Sequence, residues 1–316
     1  MRFPLAFTLP WLALSAGALL APTFVASARA EPASLPAPAP TYAIASDLAY
    51  HTQPPDGYAA ERCRLDVYHP VGVSGFSTVV WFHGGGLTDG AKEIPEHLRN
   101  AGIAVVAVNY RLTPRAATND CLADAAAAIA WTLEHIEQYG GDPRRVFLSG
   151  HSAGAYLALM VAMDSRWLAP YHRSGSDLAG VFALSGQTLT HMAARRARGI
   201  GAKQPVVDEL APLFHVRGDL PAILLVTGDR ELELNGRYEE NALLWRLLKL
   251  NGHPRVILHE LDGFDHGGVL PGAGGWGCPA RGRGGVGGAA GGGVGGGGLR
   301  RVLVVGRPAW RGLVRP

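Results

Sequence analysis

Residues 145–149 form a strand-like apolar run, Gly150-His151-Ser152-Ala153-Gly154 follows at once, and residues 155–163 then read as a helix. A chain can pass from strand to helix this abruptly only where small residues flank the turn. The bend then holds its serine on a strained, exposed tip. Such a serine is a candidate nucleophile. The pentapeptide is short, however, and 43 glycines in 316 residues make a chance occurrence easy. Its partners must therefore be sought elsewhere in the chain.

The rest of the chain supplies a setting for that junction. Residues 64–68 alternate polar and apolar, as a half-buried strand does, and residues 78–82 and 103–108 are continuous apolar runs of the kind parallel strands need when both faces are covered. Further strands are expected at residues 181–185, 222–227 and 256–261. Helices are expected at 93–101, at 120–139 ahead of Gly140-Gly141, and at 237–251 with Gly252 as a left-handed cap. Strands alternating with helices predict an α/β class fold, a doubly wound, mostly parallel sheet with flanking helices. In such sheets functional groups collect beyond the carboxyl ends of the strands. Every candidate below stands at such a place.

A serine hydroxyl needs a base, a group to orient that base, and N–H donors for the developing oxyanion. His83-Gly84-Gly85-Gly86 follows the run at 78–82, and its glycines let backbone N–H groups approach a substrate closely. Gly85, Gly86 and Ala153, the residue after the serine, are the expected oxyanion donors. The expected base is His266, in Phe264-Asp265-His266-Gly267-Gly268 after the final strand. His51, His69 and His97 read as exposed bystanders, and His151 as pointing away from the serine. For the acid, Gly228-Asp229-Arg230-Glu231 follows a strand. Glu231 is the choice and Asp229 the alternative.

The order serine, carboxylate, histidine resembles that of the α/β-hydrolase superfamily. The chain looks most like secreted carboxylesterases near the hormone-sensitive-lipase, feruloyl-esterase and kynurenine-formamidase-like groups. The matching stretches are Cys63-Arg64-Leu65-Asp66-Val67-Tyr68, His83 to Gly86, Asn109-Tyr110-Arg111-Leu112, Gly150 to Gly154, Gly228 to Glu231, and Phe264 to Gly268. The resemblance implies the α/β-hydrolase fold and a carboxylic-ester hydrolase with a triad of Ser152, His266 and Glu231. It implies no cofactor, and a small-molecule ester of short acyl chain as substrate, carbohydrate acetyl esters included. An aryl-formamidase type of amide hydrolase is the enzymatic alternative. Arg111, Asp124 and Asp142 are expected to hold structure. Gln187, Thr188 and Thr190 follow a strand end, so the segment 186–219 is expected to wall the acyl or alcohol pocket, with Trp167 and Tyr171 over it.

Composition sets the remaining bounds. Arg2, an apolar stretch over residues 5–21 and Ala28-Arg29-Ala30 read as a signal peptide over 1–30, so export and no stable membrane insertion after cleavage are expected. Residues 31–41 are a proline-rich linker, and 42–270 are one domain. Residues 271–316 hold 18 of the 43 glycines and, like all residues after His266, no acid. That segment reads as a low-complexity tail or as the product of a shifted reading frame. The non-enzyme alternative is accordingly an inactive frameshifted product, or a binding protein with a basic tail. Seven arginines beyond His266 account for the positive net charge of +3, so the body is mildly acidic and no nucleic-acid partner is expected. The sequence sets no oligomeric state. With three cysteines and an exported chain, a Cys63–Cys121 bridge and a pair of buried thiols are the two alternatives. No metal-ligand spacing is present, and no metal is expected.

Overall fold

The computed structural model describes residues 40–270 apart from 202 and 235. The expected signal peptide, nearly all of the linker and the glycine-rich tail lie outside these residues. Among the described residues eight strands form one sheet: β1 (Tyr42–Ala49), β2 (Arg64–Pro70), β3 (Phe76–Phe82), β4 (Ala104–Val108), β5 (Gly141–His151), β6 (Gly180–Leu184), β7 (Ala222–Gly228) and β8 (Val256–Leu261). Their order is β1-β2-β4-β3-β5-β6-β7-β8. β2 runs antiparallel to β1 and β4, and every pairing from β4 through β3 to β8 is parallel. Among the described residues five α-helices accompany them: α1 (Gly57–Arg62), α2 (Thr118–His135), α3 (Ala153–Met163), α4 (Met192–Ala197) and α5 (Arg237–Leu250). Among the described residues no helix is long and apolar enough to cross a membrane.

The continuous apolar runs have a simple cause. Along β3, Val80 and Phe82 enter the larger core, while Val79 and Trp81 enter a second cluster with Val105, Phe147 and Phe182. A period of two sends alternate side chains to opposite faces. Both faces are covered, so all of them are apolar. α3 lies deepest, with all 11 of its residues buried. The sequence Ala-Gly-Ala-Tyr-Leu-Ala-Leu-Met-Val-Ala-Met spares it a polar stripe, as burial on all sides demands.

Two expectations differ locally. The helix expected at 93–101 is a single 3₁₀ turn, Glu96–Leu98. Pro95 has no N–H to continue a helix and disfavours helical geometry in the residue before it. β1, which lies at the antiparallel edge, was not expected. Its pattern of exposure lacks strict alternation, and a register irregularity between Ala45 and Leu48 accounts for that.

One buried ion pair ties α2 to the segment after β4. Asp124, fully buried, accepts from the backbone N–H, Nε and Nη2 of Arg111 at 2.8–3.0 Å. Arg111 also reaches Asp56 at 2.8 Å. Burial alone would raise the Asp124 carboxyl, but hydrogen bonds from His51 and Arg111 hold it below its usual value. Removing one partner of such a pair strands the other charge. Asp124→Asn is therefore expected to cost about 3–5 kcal/mol of stability, measured by urea denaturation. A loss below ~1 kcal/mol would show that Arg111 is not dependent on this carboxylate.

The cysteines resolve in favour of thiols. Cys63 and Cys121 are both free and buried. The Cys121 thiol donates to the Arg111 carbonyl at 3.0 Å, and Cys63 lies within 4.8 Å of the polar atoms of His51 and Asp124. Burial, with the Asp124 charge second, pushes both thiols up to about 12, so neither is a ready thiolate. The His51–Cys63–Asp124 group has a ligand-like composition. Yet both Asp124 oxygens are engaged by Arg111, which makes the group an ion-pair network. His51, expected to be an exposed bystander, is a partner of Asp124 at 3.2 Å. His69 and His97 are likewise half-buried.

Candidate active site

The parallel strands converge on one edge. β5 ends at His151, and Ser152 takes φ +54° and ψ −113° before α3 begins. Few non-glycine residues adopt a positive φ, and one held there by its surroundings marks stored strain. The two elbow glycines are set by the crossing of α3 over the end of β3. A Cβ on Gly154 would lie 2.0 Å from the Phe82 carbonyl oxygen, and one on Gly150 would lie 2.6 Å from it. Any side chain at either place would drive α3 off the sheet. The serine N–H is tied to the Leu184 carbonyl at 2.8 Å, which fixes the tip to β6.

The loop after β3 lies against this elbow. A Cβ on Gly84 would stand 3.7 Å from the Ser152 Cβ and 3.2 Å from the His151 Nδ1. Gly85 and Gly86 both have positive φ, +105° and +63°, and the Thr88 and Asp89 N–H groups close a turn on the Gly85 carbonyl. Among the described residues no protein acceptor engages the N–H of Gly85 or Gly86. Ala153, first in α3, has an N–H with no intrahelical acceptor. These three donors are therefore available. His83 braces the loop: its ring stacks on Tyr110 at 4.4 Å and its carbonyl accepts from the Tyr110 hydroxyl at 2.8 Å.

The carboxylate facing His266 is Glu233, neither Glu231 nor Asp229. His266 Nδ1 donates to Glu233 Oε2 at 2.8 Å. Glu231 is exposed, and Asp229 turns outward to accept from the Gly263 N–H at 2.9 Å and the Glu231 N–H at 3.0 Å. The cause is a helical turn after β7. The Asp229 carbonyl accepts from the N–H groups of Leu232 and Glu233, and this swings Glu233 inward while leaving Leu232 and Leu234 at the surface. A count of residues from Gly228 could not reveal that turn.

Glu233 is saturated with donors. Oε1 accepts from the Ser185 hydroxyl and, at 3.0 Å, from the Gly228 N–H. Oε2 accepts from His266 and, at 3.0 Å, from the Leu234 N–H. Burial alone would raise this carboxyl, but these donors outweigh burial and hold it at about 2. It is ionised at every working pH, so His266 Nδ1 carries the proton and Nε2 is the basic nitrogen. Ser185 is itself buried at positive φ, and the Arg237 guanidinium caps its carbonyl. Sequence reasoning passed over both residues.

Two other expectations are revised. His151 does not point away: its Nε2 lies 2.8 Å from the His266 carbonyl oxygen, and the two rings are 4.7 Å apart between centroids. Gln187, Thr188 and Thr190 are buried and committed internally. Gln187 caps Met192, Thr188 binds Glu240, and Thr190 binds Asp208. These bonds brace the segment after β6. Trp167 packs against the main core and Tyr171 is exposed. A depression lined by Leu133, Pro143, Arg144 and Asp177 lies at the opposite, amino-terminal end of β5, remote from the elbow.

A mostly parallel sheet of this order, carrying a serine elbow after its fifth strand, defines an α/β-hydrolase fold. Solved esterase structures share it. A truncated carbohydrate esterase from gut microbiota superposes with a TM-score of 0.60 at 20% identity, covering 73% of this chain and 91% of that one. Thermogutta terrifontis esterase 2 superposes at 0.58 with 25% identity, covering 75% and 88%. The chain belongs to the BD-FAE family, whose model matches residues 65–235. That span includes Gly85, Gly86, Ser152 and Glu233, while His266 lies beyond it. Among curated relatives, the protein described as "Probable isoprenylcysteine alpha-carbonyl methylesterase ICMEL1" of Arabidopsis thaliana is 35% identical over 135 residues, 40% of this chain and 28% of that protein. The chain spans less than half the length of the first curated relatives it matches.

Proposed function

We propose that the protein is a serine carboxylesterase acting through Ser152, His266 and Glu233. The observation that carries this is the 2.8 Å bond from His266 Nδ1 to a fully coordinated Glu233, beside a serine held at positive φ. In the proposed reaction Ser152 Oγ attacks the ester carbonyl carbon while His266 Nε2 takes its proton. Glu233 stabilises the imidazolium and keeps its tautomer fixed. The negative charge that develops on the carbonyl oxygen is met by the N–H groups of Gly85, Gly86 and Ala153. Collapse breaks the bond to the alcohol, which leaves with the proton from His266. Water, deprotonated by the same nitrogen, then releases the acid and restores Ser152.

Esterase names among the relatives and neighbours support an ester substrate, and short acyl chains remain the favoured class. Ser152→Ala is expected to lower kcat on p-nitrophenyl acetate by about 10⁴–10⁶ without altering the circular dichroism spectrum. Equal rates in the two proteins would end the serine mechanism.

A further inference from the structure

His151 is the one polar side chain in the elbow besides the serine, and catalysis as written above leaves it without a task. It is buried, and its Nε2 meets the His266 carbonyl oxygen at 2.8 Å. A carbonyl only accepts, so Nε2–H is the donor. Nδ1 is then the bare nitrogen, on the side where Gly84 packs. We propose that His151 is a positioning residue whose imidazole ties the backbone of the catalytic base to the strand that carries the nucleophile.

The need for such a tie follows from how the base is mounted. The loop from Asp262 to Gly268 follows β8, the strand at the sheet edge. Besides the bond from the His266 ring to Glu233, Asp229 holds it by two bonds: the Asp229 N–H donates to the Phe264 carbonyl, and Oδ2 accepts from the Gly263 N–H. Those anchors precede His266. The bond from Gly268 N–H to Asp265 Oδ1 is internal to the loop. At His266 itself the main-chain carbonyl is held from β5, by a side chain one peptide bond from Ser152. The base and the nucleophile thus share a single frame, and the Glu233 bond then sets the ring within it.

Charge agrees with this geometry. Burial first, and the neighbouring His266 second, hold His151 down at about 4. It is neutral when His266 becomes imidazolium, and it adds no second positive charge beside it.

The inference rests on Ser152 and His266 acting as nucleophile and base, and its test has an arm that does not. His151→Ala removes the donor, and His151→Gln replaces it with an amide that reaches about as far as Nε2. With p-nitrophenyl acetate, the alanine variant is expected to lose roughly 30- to 100-fold in kcat with little change in KM, since misplacement by about 1 Å has that cost. The glutamine variant is expected to recover most of the loss. Hydrogen exchange at the amides of residues 264–268 is expected to accelerate at least about tenfold in the alanine variant and much less in the glutamine variant. If alanine prevents folding, His151→Asn, whose amide stops short of the carbonyl, takes its place. Equal losses in both variants, or unchanged exchange at residues 264–268, would overturn the tie. A wild-type protein inactive on esters would sink the esterase reading, while the exchange measurement would still decide the tie.

Discussion

Glu233→Gln is expected to reduce kcat by about three to four orders of magnitude while the protein remains folded. The carboxylate accepts four hydrogen bonds, from Ser185, Gly228, His266 and Leu234. A glutamine turns one acceptor oxygen into an NH₂, so at least one of those donors meets another donor. If the NH₂ faces His266, it imposes the wrong tautomer on the ring, and Nε2 carries the proton that it must be free to accept. Glu231→Gln is expected to leave kcat within about twofold, because an exposed side chain at a surface turn has little to lose. Asp229→Asn weakens a bond to the Gly263 N–H, and a loss up to about tenfold is expected from a looser base loop. Steady-state kinetics on the three variants decides the assignment. A deep loss confined to Asp229→Asn or Glu231→Gln would return the acid to that residue.

Stability is expected to fall steeply as pH drops below 6.5. His83 and His151 are held down at about 4 and His191 at about 3, in each case chiefly by burial. His83 also feels Arg62, and His191 feels Arg237, Arg195 and Arg196. All three are neutral in the folded protein and titrate near 6.5 once unfolded. Their folded pKa values are lowered, so the stability they contribute is whole above pH 6.5 and is lost as pH falls towards 4 and 3. Each proton taken up on unfolding steepens the loss by about 1.4 kcal/mol per pH unit. Three of them together remove several kcal/mol by about pH 5, a large share of a typical 5–15 kcal/mol. Glu240, raised by burial, titrates in the opposite sense and offsets part of this. Urea midpoints at pH 7, 6 and 5 test the expectation. A midpoint that does not move would mean that the three rings find water or partners when protonated.

What could be read from the sequence was whatever the backbone itself enforces. Gly150 and Gly154 announce the elbow because α3 crosses the Phe82 carbonyl too closely for a Cβ. Gly85 announces the tight loop after β3 because a Cβ there would lie 2.2 Å from the Asp89 carbonyl oxygen. The strands at 78–82 and 103–108 were legible because both faces are buried. The acid was not. Asp229, Glu231 and Glu233 share one loop and one chemistry, and a turn closed on the Asp229 carbonyl decides among them. Ser185 gives no sign of its task until Glu233 is beside it, 48 residues on. The contact of His151 spans 115 residues, and no local pattern reports a partner so distant.

The full burial of α3 has a consequence for how the protein would lose function. Ser152 is joined directly to a fully buried helix, whereas His266 follows β8, whose residues are all partly or fully exposed. Segments poor in buried contacts open sub-globally, at free energies well below that of complete unfolding. In the proposed centre the His151 bond is then the link between a deeply buried segment and one that opens more readily. A mild denaturant would part the base from a still-native nucleophile, so inactivation would run ahead of melting and be reversible on dilution.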